Sequence, residues 1–235
     1  MRLFNIYKYT NEKKKRGTKV VTYHWGVDSS QKVTTDLYNC VLTNYGKPEF
    51  WGRYLTRVEG ASDGLDQEEI QLLHNSGTKL LPIYNDFKRA VGENEGRAVA
   101  MFASYHAKRL GIRKGTPIFA NVERFFEVDS DWIRGYVNYL YNTDFKPGFY
   151  HDPTEGNFSK AFCDAASKDP LVADQAVLWS AEPDPGVSKA QAAPTFNPAK
   201  VPCEGNVWVW QYGRDSKICP IDTNLADSRL FEMLY

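Results

Sequence analysis

The sequence predicts an α/β fold: a TIM-like (β/α) barrel with about five βα units and a helix-poor closing section. Three observations lead there. Short apolar runs recur about every thirty residues, the length of a βα unit. Capped helical patterns lie between the early runs. Pro183, Pro185, Pro194, Pro198 and Pro202 crowd one late stretch, and a helix cannot run through it. The length, 235 residues, suits one large domain of this kind.

Each element has its own reason. Met1–Thr10 alternates apolar and polar residues, and the basic run Lys13-Lys14-Lys15-Arg16 follows it. A secretory leader would have the opposite order. A hairpin between Leu3–Tyr9 and Lys19–Tyr23, turning at Gly17, accounts for the segment. Residues 1–22 are thus expected as an extension or hairpin, and residues 23–235 as the barrel. Strands are predicted at Tyr23–Ser29, Phe50–Leu55, Lys79–Tyr84, Pro117–Glu123, Pro147–His151, Ala176–Ala181 and Val207–Tyr212. Helices are predicted over Asp66–Ser76, Glu93–Leu110, Asp129–Asn142 and Glu155–Ser167. In the first of these Asp66 caps, Leu65 and Ile70 form a staple, and Gly77 is the stop. The second places Ala98, Phe102 and Tyr105 on one face and stops at Gly111. The third carries Ile133, Tyr136, Val137 and Leu140, and the fourth Phe158, Phe162 and Ala165. Strands that alternate with helices imply a mostly parallel sheet with helices outside.

Composition excludes several functions. Lys+Arg and Asp+Glu are 29 each, a net charge of zero. That removes the field a general nucleic-acid binder needs. No apolar run is long enough to span a bilayer, so no membrane insertion is expected. Cys40, Cys163, Cys203 and Cys219 form no CxxC, and the four histidines form no HxxxH, so no metal site and no cofactor are expected. Cys203 and Cys219 flank the last predicted strand and are expected to pair, with Cys40 and Cys163 free. There is no GxGxxG, GxxxxGK[ST] or GxSxG.

The predicted strands tend to end on carboxylates: Asp28, Asp86, Glu123, Asp152 and Glu182. In parallel α/β folds the ligand site lies at those strand ends. Converging acids suit glycoside hydrolysis, which needs one protonated and one ionised carboxyl. The alternative is loop chemistry, since Asp is common after a strand as the cap of the next helix. Pro153 and Pro183 favour that alternative for Asp152 and Glu182. Alternation along Ile118–Glu123 puts Phe119, Asn121 and Glu123 on one face. Phe125 and Phe126 come next, and apolar neighbours would keep the Glu123 carboxyl protonated. Tyr54, Tyr84, Tyr150 and Trp179 lie near strand ends, where sugar rings stack. Trp208 and Trp210 read as core.

Gly26-Val27-Asp28-Ser29-Ser30-Gln31, Trp51-Gly52-Arg53-Tyr54-Leu55, Leu65–Leu73, Pro147-Gly148-Phe149-Tyr150, Trp179, Trp210-Gln211-Tyr212 and Asp222-Thr223-Asn224 occur in that order. The ordered set resembles the glycoside-hydrolase-like barrels of domain-of-unknown-function family 1906, over roughly Tyr23 to Asp227. Those barrels are similar in turn to family-25 lysozymes. The resemblance implies a barrel of five βα units followed by three strands with little helix. It implies that Asp28, Glu123 and Asp222 are catalytic, with Glu123 the general acid. It places Asn121 where the lysozymes carry the first acid of an Asp-x-Glu pair, so an amide would hold the substrate's N-acetyl group there. Asp86, Tyr54, Tyr84, Tyr150, Trp179 and Gln211 complete the expected substrate-binding set.

Two functions are compatible with these residues. One is a glycoside hydrolase acting on a cell-wall amino-sugar polymer of the peptidoglycan type. The other is a carbohydrate- or cell-wall-binding module on the same barrel. In both cases the partner is a polysaccharide or peptidoglycan fragment, and a peptidoglycan target implies a secreted or cell-wall-associated protein.

Overall fold

The computed structural model describes residues 21–235. The expected hairpin turn at Gly17 and its first arm lie outside them. Eight strands close a barrel in sequence order: β1 (Tyr23–Asp28), β2 (Phe50–Tyr54), β3 (Lys79–Tyr84), β4 (Pro117–Val122), β5 (Lys146–His151), β6 (Val177–Ala181), β7 (Asn206–Gly213) and β8 (Asp222–Asp227). Helices α1 (Thr35–Asn44), α2 (Gln67–Asn75), α3 (Glu93–Arg109), α4 (Ser130–Tyr141) and α5 (Phe158–Lys168) each follow one of the first five strands. The short α6 (Leu171–Gln175) precedes β6, and α7 (Ser228–Phe231) follows β8. Between β6 and β8 only one 3-10 turn, Ala190–Ala192, occurs. Five βα units and a helix-poor closing section are what the proline cluster predicts.

Besides the short α6 and α7, two elements are not predicted from the sequence, α1 and β8. Thr34 caps α1 by accepting from Leu37 N, and Leu37, Tyr38 and Val41 form its buried stripe. The polar run Asp-Thr-Asn-Leu-Ala-Asp of β8 has no apolar pattern to mark a strand. It is a strand because it pairs on both edges, antiparallel to β1 and to β7. All other neighbours in the barrel are parallel.

The predicted cap holds: Asp66 accepts from Glu69 N. Asp129, which is not among the caps expected from the sequence, likewise accepts from Trp132 N. Leu65 and Ile70 are both buried, and Gly77 and Gly111 follow α2 and α3 in the left-handed region. The face of α3 is corrected. Its buried stripe is Gly96, Val99, Ala100, Ala103, Ser104 and Ala107, while Phe102 and Tyr105 are half exposed. The cause is contact with α4 at unusually short range. A Cβ on Gly96 would lie 2.1 Å from Trp132 O, and one on Gly135 would lie 2.2 Å from Glu93 O. Only small residues let two backbones come so near, so the small-residue stripe faces inward.

The core has two layers. One lies between sheet and helices and includes Trp51, Trp132, Tyr136 and Phe162. The other fills the lumen with Phe50, Leu81, Ile83, Phe119, Val177, Trp179 and Val209, joined by Leu230 and Leu234 from the C-terminal segment.

The cysteine expectation is overturned. Cys40 pairs with Cys219, and Cys163 pairs with Cys203. The pairs thus join the helix-poor segment to α1 and α5 instead of closing a local loop. Nearness in sequence misleads here, because the closing strands complete the barrel against elements made much earlier in the chain.

Candidate active site

The site is at the C-terminal mouth of the parallel strands. Asp28 is the last residue of β1 and points into the lumen. Space for it comes from Gly52 on β2: a Cβ there would lie 2.7 Å from Asp28 Cβ and 3.0 Å from Trp179. Because β8 runs antiparallel, its first residue, Asp222, is the register partner of Asp28. Asp28 Oδ1 accepts from Asn224 Nδ2 at 2.6 Å and from Gln211 Nε2 at 3.0 Å. Asp222 Oδ2 accepts from the same Gln211 nitrogen at 3.1 Å, and its Oδ1 from Asp215 N at 2.7 Å.

These two carboxyls are not ordinary. Burial pushes Asp28 upward, against the pull of Asn224 and Gln211. Burial and the adjacent Asp28 charge push Asp222 up to about 8. The physical reason is that two close acids, taken out of water, resist carrying two charges.

On β4, Phe119 lies in the lumen, as alternation predicts, and Asn121 is buried above it. Asn121 Nδ2 donates to Glu123 Oε1 at 2.8 Å. Arg124 turns away and pairs with Glu155 at 2.7 Å. The phenylalanines expected to shelter Glu123 do not enclose it: Phe125 is 75 % exposed, and Phe126 packs edge-on against Phe87. Tyr54 faces the acids from β2. Burial and the charges of Asp28, Glu123 and Asp222 all raise its phenol. Burial likewise holds the Tyr150 phenol well above its usual value.

Asp28, Ser29, Ser30, Tyr54, Asp215 and Asp222 line an open pocket of about 290 Å³. A trough of about 340 Å³ lined by Arg124, Asp152, Thr154, Glu182 and Arg214 adds to the mouth. Ser30 also lines a hollow of about 210 Å³ formed with Arg57, Glu59 and Asp63. Arg53 organises the Ser29–Ser30 side. Fully buried, it pairs with Glu69 and donates to Ser29 O at 2.7 Å.

Several expected contacts are elsewhere. Tyr84 points outward, because Leu81 and Ile83 take the lumen side of β3. It is buried against Phe87 and His106, and burial pushes its phenol up to about 12. Asp86 is exposed on the following loop. Trp179 has no exposed surface. Its indole donates to Asn224 Oδ1 at 3.0 Å, and Phe119 and Tyr150 pack against its ring, so it is the floor of the site and offers no face to a sugar. Tyr150 is half-buried, with its hydroxyl donating to Gln211 Oε1 at 2.9 Å. Asp152 accepts from the backbone of Thr154 and Glu155, and Glu182 from Ala199 N, the loop roles their prolines suggest. Trp210 is buried as core.

Arg214 and Asn224 reach the acid pair, although neither has a site role in the sequence pattern, where Asn224 figures only within the Asp222-Thr223-Asn224 motif. Arg214 donates to Gln211 Oε1 and to Tyr150 Oη. Its only sequence signal is its place just after a strand. Asn224 sits in a strand too polar to be recognised as one. Among the described residues, no group of three or more His, Cys, Asp and Glu side chains is placed to hold a metal ion. No described helix is long and apolar enough to cross a membrane.

Known proteins share this architecture to different degrees. No curated protein matches the chain. An uncharacterized protein of B. stearothermophilus, solved by crystallography, is 54 % identical, with a TM-score of 0.89 over 90 % of this chain and 100 % of that one. A family GH25 lysozyme from Aspergillus fumigatus is 14 % identical, with a TM-score of 0.52 over 90 % of this chain and 99 % of that one. The autolysin LytC of Streptococcus pneumoniae, in complex with a synthetic peptidoglycan ligand, is 12 % identical, with a TM-score of 0.54 over 87 % of this chain and 46 % of that one. The last two likenesses show a shared barrel. The family model for Rv2525c-like, glycoside hydrolase-like domains matches residues 46–199. The chain therefore belongs to the Rv2525c-like, glycoside hydrolase-like domain family.

Proposed function

We propose that the protein is a glycoside hydrolase acting on a cell-wall amino-sugar polymer of the peptidoglycan type. The observation that carries this reading is the convergence of carboxyls on one barrel mouth: Asp28 and Asp222 share Gln211 as a donor, and Glu123 stands at the end of β4, bonded to Asn121. Glycoside hydrolysis needs one carboxyl to protonate the leaving oxygen and another to stay ionised near the sugar. Glu123, partly open to solvent, is the proton donor. Asn121, held against it, positions the substrate's acetamido group. The Asp28–Asp222 pair, which resists holding two charges at once, supplies a single negative charge beside the developing cation, and Tyr54 and Tyr150 flank the sugar.

The lysozyme GH25 and the peptidoglycan-bound LytC share the barrel, which supports the substrate class. The two disulfides agree with an oxidising compartment, where a cell-wall polymer is met.

Asn121 favours a second reading. An amide hydrogen-bonds but carries no charge, so a mouth with Asn121 beside Glu123 also suits a binding module without turnover. One assay separates the two. Purified peptidoglycan incubated with the chain yields new reducing ends if the first reading holds. General acid help is worth about 10²–10⁴-fold, so Glu123→Gln should lower the yield by that order while pull-down on the polymer persists. Binding by the parent without any release selects the second reading. Neither release nor binding rejects both.

A further inference from the structure

Gln211, on β7, is 1 % exposed. A side-chain amide has two N–H donors and one oxygen with two lone pairs. Here every one is engaged. Nε2 donates to Asp28 Oδ1 at 3.0 Å and to Asp222 Oδ2 at 3.1 Å. Oε1 accepts from Tyr150 Oη at 2.9 Å and from Arg214 Nε and Nη2, each at 3.2 Å. Reversing the amide would aim its oxygen at two carboxyls and its N–H groups at a guanidinium. The charges on either side therefore admit one orientation.

We propose that Gln211 is a positioning residue and not a sugar contact: its amide holds Asp28 and Asp222 as one acid pair and couples that pair to the positive charge of Arg214. This deepens the hydrolase reading above and rests on it for the identity of the mouth as the active site. The coupling is electrostatic. Two carboxyls in register across β1 and β8 repel when both ionise. An N–H to each lowers that cost, and Arg214 on the far side of the amide polarises it further. No direct Arg214–carboxylate ion pair occurs among the described residues, so the amide is the bonded link between the cation and the acids. A substrate hydroxyl finds no unused donor or acceptor on Gln211.

The other groups facing the pair are Arg53 and Tyr54 from β2, Glu123 after β4, Tyr150 from β5, and Asp215 beside Arg214. None of them donates to both carboxyls. Asn224 donates to Asp28 alone.

The test is a carboxyl ¹³C NMR titration of the full chain, with Asp28 and Asp222 assigned by their Asn variants. No substrate is present, so the result stands apart from whether the protein cleaves anything. In the parent the two carboxyls should titrate as a coupled pair in two steps. Gln211→Leu removes both N–H groups, and the upper step should rise by about one pH unit or more, a change in the charged form's relative stability of ~1.4 kcal/mol. Gln211→Glu adds a third carboxylate and should raise it further. Tyr150→Phe leaves Gln211 in place with one partner fewer, so it should shift the step the same way by less. That variant also carries the test if both Gln211 variants fail to fold. Titration curves of a folded Gln211→Leu that overlay the parent overturn the proposal, as does an unshifted Tyr150→Phe when the Gln211 variants do not fold. A lowered melting point without a titration shift counts as the same negative result.

Discussion

Asn121 Nδ2, near the end of β4, donates at 2.8 Å to Oε1 of Glu123, the residue just past the strand. The bond aligns the carboxyl with the mouth, but the partner brings no charge. If the missing charge limits turnover, Asn121→Asp should raise the release of reducing ends from peptidoglycan by about tenfold or more, ~1.4 kcal/mol of barrier. Asn121→Ala, which removes the bond altogether, should lower it. A rise in neither polymer binding nor cleavage for Asn121→Asp shifts the weight to the binding reading.

The acid pair makes stability depend on pH. The ordinary Asp value is 3.8 and the folded-state value of Asp222 is about 8. Between the two the folded chain holds a proton that the unfolded chain has lost. Stability from this group is therefore full below about pH 4, falls as pH rises, and is gone above about pH 8. Melting curves taken across that window should show the decline in the parent. Asp222→Asn should flatten it, since an amide does not titrate.

The buried pair Arg53–Glu69 is a second point of sensitivity. Both side chains are wholly buried, and Glu69 also accepts from Val33 N at 2.9 Å. Removing one partner strands the other charge, so Arg53→Met or Glu69→Leu alone should cost about 3–5 kcal/mol in urea unfolding. The double replacement by Met and Leu should recover much of that loss. Arg53 also holds the backbone of Ser29, so the single variant should loosen the pocket beside Asp28.

The disulfides differ in what they close. Cys40–Cys219 spans 179 residues and Cys163–Cys203 spans 40. Closing the longer loop removes more freedom from the unfolded chain, with typical contributions of about 2–5 kcal/mol. Calorimetry should show a larger drop in melting temperature for Cys40→Ser with Cys219→Ser than for Cys163→Ser with Cys203→Ser. The first pair also ties down the loop that carries Asp215 and Ser216, so its loss should weaken polymer binding as well. Non-reducing peptide mapping that recovers Cys203 linked to Cys219 would contradict the pairing.

Much of the fold is legible in short-range pattern. Seven strands, four of the main helices and the cap Asp66 arise from local propensity and apolar period, which act within a few residues. The common face of Phe119, Asn121 and Glu123 comes from alternation alone. Alternation also carries a signal for Tyr84: with Leu81 and Ile83 inside, it must point out. Trp179 cannot be read the same way, because it does point inward, and only the packing of Phe119 and Tyr150 around it removes it from reach.

The sequence by itself determines where each acid falls along the chain and, for Asp28 and Glu123, which strand end carries it. Tertiary structure decides which acids meet. Asp28 and Asp222 are separated by most of the chain, and β8 has no apolar pattern to mark it as a strand. Closure of the barrel supplies both of its partners, and its antiparallel course brings its first residue, not its last, to the mouth. The same closure chooses the cysteine partners and sets Gln211 between the two carboxyls. Local propensity has no access to such choices, since they depend on hydrogen-bonding edges and lumen space that exist only once the other strands are in place.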